Sequence, residues 1–329
     1  MGRILNLLSA TLLTAAVCAQ PGANAQPGTA AWPERPIRIV IGFPPGQATD
    51  RTARLIAEKL TTRLGQTVLV ENRPGQAGSI ALAGLKRAPA DGYTIGIAAT
   101  ASMATNPHLY KSVGYDPLED FRTVSVLGVG PLLLLANSKM PFDSTDGFVK
   151  YAKDHPGRLN YCSTGNGTIS HLAMELFKRE AGIRLTHVPY QGSVAAMSDL
   201  ANGDVSVCFD TVAGAQPMLK AGKIKALGVA TPDRMDILPD LPTLSESGFK
   251  GFEAAPYIGM LVPAGTPAAI VDRLHAELRG IGAMPDVRDQ FKSTGTVSVF
   301  SSPDAFASQL RTDFEKWRKV IRDADIRLE

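Results

Sequence analysis

Apolar residues run along this chain in short blocks that alternate between two periods. Ile37-Arg38-Ile39-Val40-Ile41 has the pattern of a short buried strand, and the Gly/Pro loop Gly42-Phe43-Pro44-Pro45-Gly46-Gln47-Ala48-Thr49-Asp50 follows it. From Asp50 onward Ala53, Ile56, Ala57, Leu60 and Leu64 recur at helical spacing, so the opening unit is strand, loop, helix. The unit repeats. Thr67 to Val70 reads as a strand, Ala77 to Ala88 as a helix, and Tyr93 to Ile97 as a strand after the turn Ala90-Asp91-Gly92. Alternation of this kind predicts a mostly parallel sheet with helices on both faces.

A second alternation begins after the apolar run Pro131 to Leu135. It holds strands at Leu159–Cys162, Thr186–Val188, Val205–Cys208 and Ile224–Val229, with helices from about Thr168 and from Val194 to Ala201. Past the Pro/Gly-rich stretch Leu238 to Gly251, Tyr257 to Val262 reads as one more strand. Helices then start at Pro267 and Pro303, the latter with Phe306, Leu310, Phe314, Trp317 and Ile321 on one stripe. This tail has too few strands for a third domain and is assigned back to the first. The expected fold is therefore α/β and two-lobed: residues 26–130 and 258–329 form lobe one, residues 131–257 form lobe two, and a double crossover serves as the hinge.

The first 25 residues stand apart. Met1-Gly2-Arg3, the apolar stretch Ile4 to Val17 and Ala23-Asn24-Ala25 before Gln26 have the order of a secretory signal peptide. The apolar run is shorter than the roughly 20 residues that span a bilayer. Val17 ahead of Cys18 argues against lipid attachment, so the mature chain is expected to be exported and to start near Gln26, without inserting into the membrane.

Charge excludes some partners. The sequence has 34 Lys+Arg and 31 Asp+Glu, a near-neutral balance with no electrostatic footprint for nucleic acid. Beyond the leader the cysteines are Cys162 and Cys208, which end two strands expected to be neighbours and form a disulfide candidate in an oxidising compartment.

In open α/β sheets ligands bind beyond the carboxyl ends of the strands, where helix N-termini present free N–H groups. Two loops have that position: Phe43 to Asp50, and Ser163-Thr164-Gly165-Asn166-Gly167-Thr168. The second combines glycines with uncharged donors and would favour a carboxylate, although the same residues also suit a plain helix cap. It is neither a Walker loop nor a dinucleotide fingerprint. His171 and Glu175 lie four apart but lack a second ligand cluster, so neither a metal nor a cofactor is expected. A hydrolase would need Ser163 or Ser170 with His171 as base, and neither serine sits in G-x-S-x-G.

A run of motifs resembles the substrate-binding proteins of tripartite tricarboxylate transporters, the Bug family. In order these are Trp32-Pro33-Glu34-Arg35-Pro36-Ile37, Phe43-Pro44-Pro45-Gly46, Glu71-Asn72-Arg73-Pro74-Gly75, Pro89-Ala90-Asp91-Gly92-Tyr93-Thr94 and Asn106-Pro107-His108-Leu109-Tyr110. Tyr115-Asp116-Pro117, Gly165-Asn166-Gly167, His187-Val188-Pro189-Tyr190, Leu238-Pro239-Asp240-Leu241-Pro242-Thr243 and Val262-Pro263-Ala264-Gly265-Thr266-Pro267 follow. The resemblance implies a two-domain periplasmic receptor, monomeric, that closes on a small mono- or dicarboxylate and delivers it to integral-membrane transporter subunits. It also implies that the carboxylate is held by amides, hydroxyls and water instead of an arginine clamp. Carried over by position, the contacts are Phe43, Gly46, Gln47, Ala48 and Thr49, with Asp50 in the same loop, and Thr100, Ala101 and Ser102. Lobe two would add Ser163, Thr164, Gly165, Asn166 and Thr168, with Gly167 between them, and Asp210. Gln47 departs from the family, which has a second glycine there. A sensory receptor and a secreted hydrolase are the competing functions.

Overall fold

A computed structural model describes residues 32–328, and the expected signal peptide lies outside them. The first half runs β1 (Ile37–Ile41), α1 (Ala48–Leu64), β2 (Val68–Asn72), a 3-10 turn, α2 (Ser79–Lys86), β3 (Thr94–Ala99), a π-helical turn at Ala101–Thr105, α3 (Asn106–Leu109) and β4 (Phe121–Val129). It continues with β5 (Leu132–Asn137), α4 (Thr145–Asp154), β6 (Asn160–Ser163), α5 (Ile169–Ala181), β7 (Thr186–Pro189), α6 (Ser193–Asn202), β8 (Val207–Thr211), α7 (Val212–Lys220) and β9 (Ile224–Val229). The chain ends with β10 (Tyr257–Pro263), α8 (Ala268–Gly282), α9 (Pro285–Ser293), β11 (Val297–Ser298) and α10 (Pro303–Asp323).

These elements build two sheets, ordered β11-β4-β10-β3-β1-β2 and β7-β6-β8-β5-β9. The chain leaves the first sheet between β4 and β5 and returns between β9 and β10. In each sheet three strands are parallel, β2-β1-β3 and β7-β6-β8. The expectation of mostly parallel sheets needs correction beyond them. β10 is antiparallel to both β3 and β4, and β5 is antiparallel to both β8 and β9. These are the strands next to the crossings, where a chain entering a sheet from outside has no βαβ connection to fix its direction.

Local sequence explains the helices that matter for the site. α1 buries Ala53, Ile56, Ala57 and Leu60 on one face and stops at Gly65, whose φ of 68° suits glycine. It begins at Ala48, two residues earlier than the apolar spacing indicated. α5 is capped by Thr168 and α10 by Ser302, each side chain accepting a backbone N–H. α10 buries Phe306, Leu310, Trp317, Val320 and Ile321; Phe314 is only half-buried and packs on His108, with ring centroids 4.2 Å apart.

Candidate functional site

The carboxyl end of β1 delivers the loop Gly42 to Gln47, and α1 starts directly behind it. Gly42 meets Gly78 so closely that a Cβ on it would lie 2.2 Å from the Gly78 Cα, which seats Phe43 against the 3-10 turn. Gly46 adopts φ 85°, whereas Gln47 is extended at φ −76°. The side chain at 47 therefore brings no backbone strain. Gln47 supplies no side-chain cap, and the N–H groups of Ala48 and Thr49 have no partner among the described residues. The start of a 17-residue helix, with its partial positive charge, is thus left open.

Asp50 holds this loop instead of offering a free group to a ligand. Gly46 N–H donates to its Oδ2 at 2.8 Å, Arg54 Nε donates at 3.0 Å, and Asn72 Nδ2 donates to Oδ1 at 2.9 Å. Burial disfavours its charge, but the bonds from Arg54, Gly46 and Asn72 outweigh that and bring the carboxyl down to about 2. Arg51 donates to the Gly46 carbonyl at 2.6 Å. Thr100 is likewise engaged: its hydroxyl accepts from Tyr257 N at 2.7 Å and lies 3.1 Å from the Tyr257 carbonyl, tying β3 to the start of β10. Ser102 is buried, with its hydroxyl on the Ala99 carbonyl, and Ala101 opens the π-helical turn beside it.

On the second sheet β6 ends at Ser163 and the loop to Thr168 follows. Several donors read from the sequence are consumed within the protein. Thr168 caps α5 and donates to the Gly165 carbonyl at 2.8 Å, Gly165 N–H donates to Ser163 Oγ at 3.3 Å, and Thr164 N–H donates to Ser170 Oγ at 3.3 Å. Gly167 N–H donates to His171 Nδ1 at 3.1 Å, a buried bond. What stays accessible is the hydroxyl of Thr164, held only by a 3.3 Å bond to Thr168 Oγ1, and the exposed side chain of Asn166.

Beneath this loop lies a support that residue spacing did not reveal. The His171 and His187 rings stack at 3.9 Å and 12°, and His187 Nε2 is 2.7 Å from Ser163 Oγ. Each ring pins one end of the loop. His171 must be unprotonated at Nδ1 to accept from Gly167, and burial together with the neighbouring His187 lowers its pKa to about 4. Glu175, four residues from His171, is engaged elsewhere, accepting from Tyr161 and from Lys178.

Asp210 lies next to last in the neighbouring β8, just before Thr211, which ends the strand and caps α7. Its Oδ1 accepts from Ser193 Oγ at 2.9 Å and from Thr211 N at 2.6 Å, while its buried Oδ2 has no hydrogen-bond partner among the described residues. Burial raises its pKa to about 6 even though Ser193 and Thr211 oppose the shift. Cys162 and Cys208 stand in direct register across β6 and β8, yet both are free, buried thiols, which corrects the disulfide expectation. Cys208 Sγ turns instead to the Cys162 carbonyl at 3.1 Å.

A chamber of about 250 Å³ joins the two sheets beside α1. Ala48, Thr49 and Ala99 line it from the first sheet, Thr211 and Ala213 from the second, and Gly130 and Pro256 from the crossings. Of the sequence-predicted residues only Ala48 and Thr49 reach this wall; Ser163 to Thr168 stand at the end of β6, one strand beyond Asp210.

A family model described as tripartite tricarboxylate transporter family receptor matches residues 52–326. BugT of Bordetella pertussis is 31% identical over 330 residues, covering 100% of this chain and 99% of its own. A solved R. palustris protein with adipate is 35% identical at a TM-score of 0.76, over 90% of this chain and 99% of the other. MatC from Rhodopseudomonas palustris with bound malate is 30% identical at a TM-score of 0.72, over 88% and 100%.

Proposed function

Because the chain belongs to the tripartite tricarboxylate transporter receptor family, we propose that it is a non-catalytic periplasmic receptor. It captures a small carboxylate by closure of its two lobes and hands it to separate membrane subunits. The observation that carries this reading is the open start of α1 at the carboxyl end of β1, on a chamber shared by both sheets. Unpaired N–H groups and the helix dipole favour an anion there without a bound cation. Thr164 and Asn166 add neutral donors, and two relatives of known structure contain adipate and malate.

The lobes are read as residues 26–130 with 258–329, and 131–257. Among the described residues no helix is long and apolar enough to cross a membrane, so transport would depend on partner subunits. A hydrolase is the poorer reading. Ser163 is fully buried, and among the described residues no carboxylate hydrogen-bonds the second nitrogen of His187 to orient it as a base.

Mass spectrometry of ligand retained through purification, followed by a thermal-shift screen, tests the proposal. A carboxylate at about 100 times its Kd should add roughly 2.7 kcal/mol of stability. Shifts with neutral sugars or amines and none with acids would overturn it.

A further inference from the structure

The chamber beside α1 has chemistry of its own. Leu55 from α1 and Ile258 from β10 are only half-buried and present apolar surface to it, with Phe291 of α9 as a buried wall and Ala213 of α7 closing the side made by the second sheet. Apolar side chains left partly uncovered around one concave space, here Leu55 and Ile258 against Phe291, mark a surface that gains from being covered. Its size is sufficient, since an apolar cavity of about 150 Å³ accommodates a benzene ring, and this one measures about 250 Å³.

Position links the chamber to the anion site. Ala48 and Thr49, whose N–H groups are open, belong to its lining, and Thr211 of the same wall directly follows Asp210. A carboxylate on the first turn of α1 therefore has this apolar space within reach of its own body. Arg51, which also lines the chamber, is already bonded to the Gly46 carbonyl that shapes the loop.

We infer that the chamber is the specificity subsite, and that the receptor selects carboxylates whose body is a ring or short aliphatic chain seated against Leu55, Ile258 and Phe291. The inference rests on the carboxylate reading above and adds what the acid must carry. Because Ala213 and Thr211 come from the other sheet, the subsite is complete only when the lobes hold their closed relation, so an apolar body contributes to closure as well as to affinity.

Calorimetric titration of propionate, butyrate, hexanoate, benzoate and the matching amides tests it on the intact protein and on Ala213→Leu. Position 213 is exposed, so the larger side chain can fill the chamber without entering the core. Affinity of the parent protein should rise about fourfold per added methylene, the equivalent of about 0.8 kcal/mol. Ala213→Leu should abolish that rise, weakening benzoate and hexanoate at least tenfold while leaving propionate within about twofold. A flat series in the parent, with propionate bound, overturns this inference and leaves the carboxylate reading standing. Amides binding as tightly as acids, or no acid binding at all, overturns both. A crystal of the parent protein with 4-bromobenzoate gives an independent reading: anomalous density for bromine between Leu55 and Phe291 is expected, and bromine anywhere else contradicts the assignment.

Discussion

Replacing Thr164 by alanine separates a ligand contact from a structural cap. The Thr164 hydroxyl has one internal partner, Thr168 Oγ1 at 3.3 Å, a long bond between neutral groups whose loss should cost the fold less than about 1 kcal/mol. Turned toward a carboxylate, the same hydroxyl makes a charge-assisted bond of about 1.5 to 3 kcal/mol, so Thr164→Ala should raise Kd by roughly tenfold to a hundredfold. The true cap is Thr168, and Thr168→Ala should lower stability by about 1 kcal/mol, or a few degrees in Tm. Arg73, bonded to Glu71 at 2.6 Å and distant from the open helix start in role, should leave Kd within about twofold when replaced by alanine. Calorimetric titration and thermal unfolding of the three variants give the answer. The reasoning fails if Thr164→Ala shifts Tm with Kd unchanged, or if Arg73→Ala has the largest effect on binding.

Further outcomes follow from the charges. Asp210 holds its proton to about pH 6 in the fold and to about 3.8 unfolded, so its contribution to stability falls as pH rises through that window; Asp210→Asn should gain stability at pH 7.5 relative to pH 4, by up to about 3 kcal/mol in urea titrations. His171, at about 4 against an ordinary 6.5, acts oppositely and erodes stability as pH falls from 6.5 towards 4; the difference in urea midpoint between His171→Gln and the parent should change most across that interval. Asp50→Asn removes a carboxylate whose contribution is present above about pH 3.8 and lost as pH falls through about 2. It should cost about 1.5 to 3 kcal/mol at pH 7 and loosen ligand binding; unchanged stability at neutral pH would show that the loop does not depend on it. Cys162 and Cys208, buried and free, should resist a thiol reagent in the native protein and both react after unfolding in guanidinium; a failure to react when unfolded would indicate a bridge.

Much of the architecture was legible because most of its strands and helices have a local period of their own. Ile37 to Ile41 and Ile224 to Val229 coincide with their strands, and the helix following Pro303 begins where its proline and serine cap place it. β4 escaped because Phe121 to Val129 mixes Arg122, Thr123 and Ser125 with apolar residues, and it is stabilised by neighbours on both sides instead of by its own pattern. α9 escaped for a similar reason, since it buries only Val287 and Phe291. In the site, loop positions could be read but not which donors were already used. That Ser163 meets His187, that Thr100 serves Tyr257 and that Gly167 faces His171 depends on residues 24, 157 and 4 positions away meeting in three dimensions. The chamber was invisible for the same reason, because its walls come from α1, α7, α9 and β10.

The apolar interior does not respect the division into two sheets. One continuous cluster takes in Leu261 in the first sheet and Leu82 beside it, Leu134, Leu172 and Phe177 in and beside the second, and Trp317, Val320 and Ile321 of α10. Arg179 of α5 pairs with Asp323 at 2.5 Å, and Leu328 N–H donates to the Leu109 carbonyl at 2.9 Å, so the end of α10 and the residues after it are fastened to both sides. Residues 33 to 329 accordingly form one compact unit. Heating should thus give a single calorimetric peak whose van't Hoff and calorimetric enthalpies agree, with or without ligand. Residues 131 to 257 expressed alone would expose the cluster to water and should remain unfolded: two sheets that share one interior melt as one.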